Sequence, residues 1–216
     1  MTERPRPRAR LAGALAAIGL LSGWGSPGFA RPLPVPGECS AGPGMRRCLY
    51  RSAVPSVGLL SECDGSRCRV GFYYGRIDTP EWLTPPEGWT AFPPPEVRWP
   101  SATLAEVRFG CGASCSVSYF FEARRQRLSP PRRDVVALDE RRLLVAQGEG
   151  RSLVARQVYS GREVARIERS WAPGLTAVEA IQDARFEPDG RLSITWMQAG
   201  DRPPMTERIT VPSIPR

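Results

Sequence analysis

The chain has 216 residues, with 30 basic residues against 22 acidic ones and a formal charge of +8. Every basic residue is Arg, and the sequence holds no Lys, no His and no Asn. Ser-His-Asp and Cys-His catalysis, His metal ligands, Ser-Lys and Schiff-base chemistry and ordinary N-glycosylation are therefore excluded.

The first 30 residues read as a secretion signal. Arg4, Arg6, Arg8 and Arg10 form a basic stretch, residues 11–21 an uncharged apolar run, and Gly28 and Ala30 the small residues before a cleavage point after Ala30. The apolar run is shorter than the ~20 residues that cross a bilayer. Its arginines include no adjacent pair, which argues against a twin-arginine signal. Cleavage leaves residues 31–216, with 26 basic and 21 acidic residues and a charge of +5. A charge of that size aids solubility and gives mild attraction to anions. The remaining length suits one domain, and no later segment is apolar enough to span a membrane.

All six cysteines follow the signal: Cys39, Cys48, Cys63, Cys68, Cys111 and Cys115. An even number in an exported chain reads as disulfides. Pairing sequence neighbours closes the shortest loops, which gives Cys39–Cys48, Cys63–Cys68 and Cys111–Cys115. Each would stabilise the fold by roughly 2–3 kcal/mol on the loop-entropy model. The C-x4-C and C-x3-C spacings match neither the C-x-x-C of thioredoxin-like redox sites nor the paired C-x2-C arms of zinc ribbons. No metal and no cofactor is expected.

Residues 31–52 begin Pro- and Gly-rich and read as an N-terminal arm, leaving 53–216 as a single disulfide-stapled β domain. Residues 53–75 read as strand, turn, strand, with Asp64-Gly65 at the turn and Val70, Phe72 and Tyr74 alternating. Residues 79–100 carry seven prolines, which bars a central strand or a helix. A loop of that length is either functional or poorly ordered. Its rings, Trp82, Trp89, Phe92 and Trp99, are candidate anchors for a sugar, a peptide or a partner protein. The plainer alternative is that they cover the sheet.

Residues 102–122 read as a hairpin with Cys111 and Cys115 at its tip. Val117, Tyr119 and Phe121 lie on one face, and Ser116, Ser118 and Phe120 on the other. Residues 124–142 hold seven arginines, partly offset by Asp134, Asp139 and Glu140. Arg124, Arg125, Arg132 and Arg133 are the candidates there for an anionic envelope polymer. A solvated set of hairpin turns is the alternative. No aromatic residues interleave these arginines, so nucleic acid is not expected.

Beyond Asp134, short β-rich runs recur at 134–138, 143–146, 152–158, 163–169, 184–187, 191–197 and 206–211. Asp, Gly and Ser clusters separate them, the mark of an antiparallel meander. Residues 175–183 are the exception and read as a short helix. The stretch from Ala184 to Trp196, with its Asp189-Gly190 turn, resembles the inner strands of a β-propeller blade. Leu153 to Ile167, with Tyr159-Ser160-Gly161, is similar. A propeller needs at least four blades of about 40 residues. The first half of the chain shows no such repeat, and no family is assigned.

The expected fold is an all-β antiparallel meander, sandwich or barrel-like domain, with one short helix and a long Pro/Trp-rich loop. The expected function is binding or interaction in the cell envelope, periplasmic or secreted, without catalysis. Its partner would be an envelope protein or an anionic polymer. The alternative is a carboxylate-dependent hydrolase acting on envelope glycans, with Glu81, Glu87, Glu96 and Glu106 as the carboxylates near aromatics.

The intact mass and N-terminal sequence of exported protein should correspond to a chain starting at Arg31 with three disulfides. A retained Met1, or thiols that titrate after unfolding, would contradict this reading.

Overall fold

The computed structural model describes residues 37–64, 67–83, 95–110, 115–200 and 202–212. The proposed signal at 1–30 lies outside them. The described chain forms four antiparallel sheets and one short helix.

The first sheet runs in chain order through β1 (Glu38–Gly42), β2 (Met45–Arg51), β3 (Val57–Asp64), β4 (Arg67–Tyr74) and β5 (Glu81–Trp82). The stretch expected as an arm thus supplies two of its strands. The second sheet has β6 (Glu96–Arg98), β7 (Leu104–Gly110), β8 (Ser116–Glu122), β9 (Arg127–Leu128) and β10 (Arg132–Arg133), in the order β10-β8-β7-β6 with β9 also on β8. The third sheet is the meander β11 (Val135–Asp139), β12 (Leu144–Glu149), β13 (Ser152–Gln157) and β14 (Glu163–Glu168). The fourth is β15 (Ile181–Phe186), β16 (Arg191–Trp196) and β17 (Met205–Thr210). The two blade-like stretches are therefore β13–β14 and β15–β16.

The sheets stack face to face in chain order. Leu59, Val70 and Phe72 of the first sheet pack on Val107, Phe109, Val117 and Phe121 of the second. Phe72 stacks on Phe121 with ring centroids 4.4 Å apart, a pair worth about 0.5–1.5 kcal/mol beyond its burial. Leu104 and Phe120, on the other face of the second sheet, meet Val135, Val145 and Val158 of the third. Leu144, Leu153 and Ile167, on the third sheet's far face, pack on Leu192, Ile194 and Trp196 of the fourth. No described core cluster joins the first sheet to the last.

The two middle sheets are consequently buried on both faces. β8 is buried from Ser116 through Phe121, and β12 from Leu144 through Gly148. Simple in–out alternation disappears from such strands. Among its described residues the proline-dense segment yields β5 and β6, both at sheet edges, where proline's missing donor does least harm.

The helix is shorter than the sequence suggests. α1 covers Ala177–Ala180, opened by a capping box in which Thr176 and Glu179 satisfy each other's backbone amides. It stops because Ile181 is already extended and pairs with Trp196 across β16. A single turn has too few hydrogen bonds to outlast that pairing. The helix seats on β12 at Gly148, where a Cβ would stand 2.1 Å from Val178 Cγ2. Gly190 supplies the left-handed residue (φ 84°) in the tight turn between β15 and β16.

Gly148→Ala should destabilise the fold by about 1–3 kcal/mol in urea titration, the usual cost of overpacking. Val178→Ala in the same chain should recover most of it. An unchanged midpoint for the single variant would mean that α1 does not seat on Gly148.

Candidate binding surfaces

The aromatic residues of 79–100 are used for packing where they can be described. Trp82 pairs with Gly71 across the edge of the first sheet, and its ring lies over that glycine. The Arg69 guanidinium sits 3.9 Å from the centroid of the same ring, and Arg69 is bonded in turn to Glu62. Trp82 stays half-exposed, but one ring face is already taken by a cation. Trp99 packs against the core between the first two sheets, with its indole N–H buried and unpartnered among the described residues. Trp89 and Phe92 lie outside the described residues.

The arginine-rich stretch is dispersed. Arg124, Arg125 and Arg133 are exposed, and Arg125 comes within 3.7 Å of Glu122. Arg132 is buried and donates from Nε and Nη2 to the Val158 carbonyl at 2.9 and 2.7 Å. Burial first, and the nearby charge of Arg156 second, pull its guanidinium below the usual arginine range. It bridges the second and third sheets and presents no charge to a ligand. Arg142 serves the next joint, donating to Asp139 and to the carbonyls of Gly190 and Val211. Arg127 lies over the Tyr159 ring at 4.3 Å, beside a cavity of about 160 Å3. The Tyr159 hydroxyl and the Glu122 Oε2 that faces Arg125 are buried without hydrogen-bond partners among the described residues. Burial, reinforced by the Glu122 charge, pushes the Tyr159 hydroxyl well above the usual phenol range.

Among the carboxylates, Glu81 is exposed on β5 and Glu87 lies outside the described residues. Glu96 and Glu106 fall on the same face of adjacent strands, in a checkerboard with arginine. Glu96 is opposite Arg108, and Arg98 is opposite Glu106. Glu96 bonds Arg98, while the buried Glu106 accepts from the Ser118 hydroxyl at 2.7 Å. Cross-strand charge alternation of this kind stabilises an edge strand.

A further cavity lies where the sequence did not point. It has a volume of about 480 Å3 and is lined by Met45, Arg46, Cys48, Tyr50, Cys63 and Pro95, among others. Strand registers explain its position. Cys39 pairs with Cys48, Cys48 with Ser61 and Ser61 with Val70, which places all four on the face that packs on the second sheet. Two residues along, Ala41, Arg46, Cys63 and Cys68 form the next row of the same face. The β1–β2 end extends past the apolar contact with the second sheet, and Pro95, just before β6, forms one wall. β1 is exposed along its whole length, and its outer edge has no paired strand among the described residues.

Two of the three expected disulfides are formed, Cys39–Cys48 and Cys63–Cys68, each joining directly paired residues. Cys115 is also disulfide-bonded; Cys111 lies outside the described residues. Arg46 places its Nη2 3.7 Å from Cys39 Sγ and forms no ion pair among the described residues. The sequence signal available for this site was the pairing of neighbouring cysteines, 39 with 48 and 63 with 68; the strand over Met45–Arg51 that brings the two bonds into adjacent rows comes from the structure.

No helix among the described residues is long and apolar enough to cross a membrane. The chain matches no protein-family model, no curated protein and no solved structure.

Arg132→Ala should destabilise the protein by about 2–3 kcal/mol, because it removes a charged donor from a buried carbonyl. Arg124→Ala and Arg125→Ala should stay within about 0.5 kcal/mol of the parent. Thermal denaturation separates these outcomes, and a neutral Arg132→Ala would return that residue to the list of surface candidates.

Proposed function

We propose that this chain is an exported protein of the cell envelope, cleaved after Ala30, that binds a partner and has no catalytic role of its own. Two disulfides support an oxidising compartment. The observation that carries the binding reading is the cavity of about 480 Å3 beside the exposed edge of β1. A concave, mainly apolar pocket with a few polar groups is the usual form of a binding site. An edge strand beside it offers a row of backbone donors and acceptors to an extended segment. An apolar side chain of such a segment would enter between Met45, Tyr50 and Pro95. Arg46 would favour an acidic group next to it. This reading moves the expected surface away from Trp82 and Trp99, whose rings support the sheets.

Affinity capture from envelope extract with the exported protein, its Met45→Glu variant and its Trp82→Ala variant tests the assignment. Met45 is half-exposed, so the Glu variant should fold normally. Captured partners should disappear with Met45→Glu and persist with Trp82→Ala. The reverse pattern would place the surface at Trp82.

A further inference from the structure

Four of the six cysteines lie on one face of the first sheet, as two disulfides in adjacent rows across β1 to β4. Cys48 and Cys63 both line the cavity. Arg46 stands on the same face, two residues from Cys48 and directly across from Cys63. Its guanidinium contacts the sulfur of the exposed Cys39. A structural staple needs no cation beside it and no access from solvent. The Cys39–Cys48 bond has the cation, and it is reached from solvent at the exposed Cys39 and through the cavity that the buried Cys48 lines.

We propose that the cavity is a thiol–disulfide exchange site for a partner protein bearing a reduced dithiol. The Cys39–Cys48 bond joins β1 to β2. Cys48 pairs on its other side with Ser61, a small residue, and both line the cavity. A thiolate entering by the cavity attacks Cys48 Sγ. It forms a new S–S bond to Cys48, and the electron pair of the old bond leaves with Cys39 as a thiolate beside Arg46. A neighbouring cation stabilises a leaving thiolate, and a leaving group of lower pKa departs faster. The partner's second thiol then displaces Cys48. The partner leaves with its own disulfide, and this chain keeps two thiols. The partner has lost two electrons and this chain has gained them. Among the described residues Cys63–Cys68 makes no such contact with a cation, and it serves as the internal comparison.

This inference rests on the binding reading only in that the thiol enters by the same cavity, and the two fail differently. The oxidised, exported protein is incubated under native conditions with excess reduced glutathione. Samples are quenched with acid, alkylated and mapped by peptide mass spectrometry. A mixed disulfide of glutathione on Cys48, with Cys39 alkylated, should form before Cys63–Cys68 opens and while the circular dichroism spectrum is unchanged. Arg46→Ala should slow the reaction about threefold or more, and Arg46→Lys should restore most of the rate. Both variants change an exposed side chain, and their spectra report whether they fold. Disulfides that open only on unfolding would overturn the proposal, as would equal rates for Arg46→Ala and the parent. Loss of exchange with partner capture intact would leave a binding site without this chemistry. Exchange that survives Met45→Glu while capture is lost would mean that exchange does not depend on the captured partner.

Discussion

The second and third sheets are covered on both faces, and that constraint governs how the rest of the chain is used. A sheet with one wet face can turn its polar side chains to water. These two cannot, so the backbone carbonyls at their strand ends must be met by side chains from within the stack. Arginine does this at two of the three joints. Arg132 closes on the Val158 carbonyl between the second and third sheets, and Arg142 reaches the Gly190 and Val211 carbonyls between the third and fourth. The planar guanidinium offers several donors in fixed directions, so a single side chain can satisfy two or three acceptors. An ammonium at the same point would be a more strongly hydrated point charge and would lose more on burial.

The same constraint explains where the disulfides fall. Hydrophobic burial fixes the middle of the stack, and the fourth sheet ends in a polar outer row that includes the Thr195–Thr206 and Asp183–Arg185 pairs. The outer face of the first sheet is crossed by the segment leading to β5, where the Ile77 carbonyl accepts from Arg47 and Trp82 lies over Gly71. The inner face of β1 and β2 has less to pack on. Every residue of β1 is exposed, and in β2 only Cys48 is buried. Cross-links between directly paired residues supply there what apolar contact supplies elsewhere, largely by restricting the unfolded chain. The region most in need of covalent support is therefore also the region with an open cavity.

Much of the fold was legible in the sequence, for reasons that differ along the chain. The third and fourth sheets follow the expected rhythm closely because Gly150 and Asp189-Gly190 adopt the turn conformations their residue types favour. The Cys63–Cys68 hairpin is readable in the sequence because Asp-Gly, a turn-forming pair, stands between two apolar runs and two cysteines. The strand character of residues 38–51 was not, since Gly, Arg and Pro mask a pairing that only the neighbouring β3 induces. Burial on both faces could not be read either. Alternation puts Phe120 opposite Val117, Tyr119 and Phe121, and nothing in the local sequence marks the further sheet that covers it. The helix was recognised by composition and overextended, because pairing of Ile181 with Trp196 is a tertiary effect absent from local propensity.

The candidate site was less legible because the residue types that usually mark interfaces, Trp and Arg, also build the joints of this protein. In a chain whose only cation is arginine, a run of arginines carries little information about ligands. What carries information is how each charge is answered. Arg132 and Arg142 end on carbonyls, and Arg156 and Arg166 share Glu149 and Glu163. Trp82 is held between strand and guanidinium. Arg46 is different because it lines a cavity and its described contact is a sulfur atom. A carbonyl or a carboxylate satisfies a guanidinium in the resting protein. A disulfide sulfur does so poorly, and becomes a strong partner only when the bond opens and the charge appears on it. The interaction is thus stronger in the opened state than in the closed one, which is the condition for a side chain to favour a reaction as well as a fold.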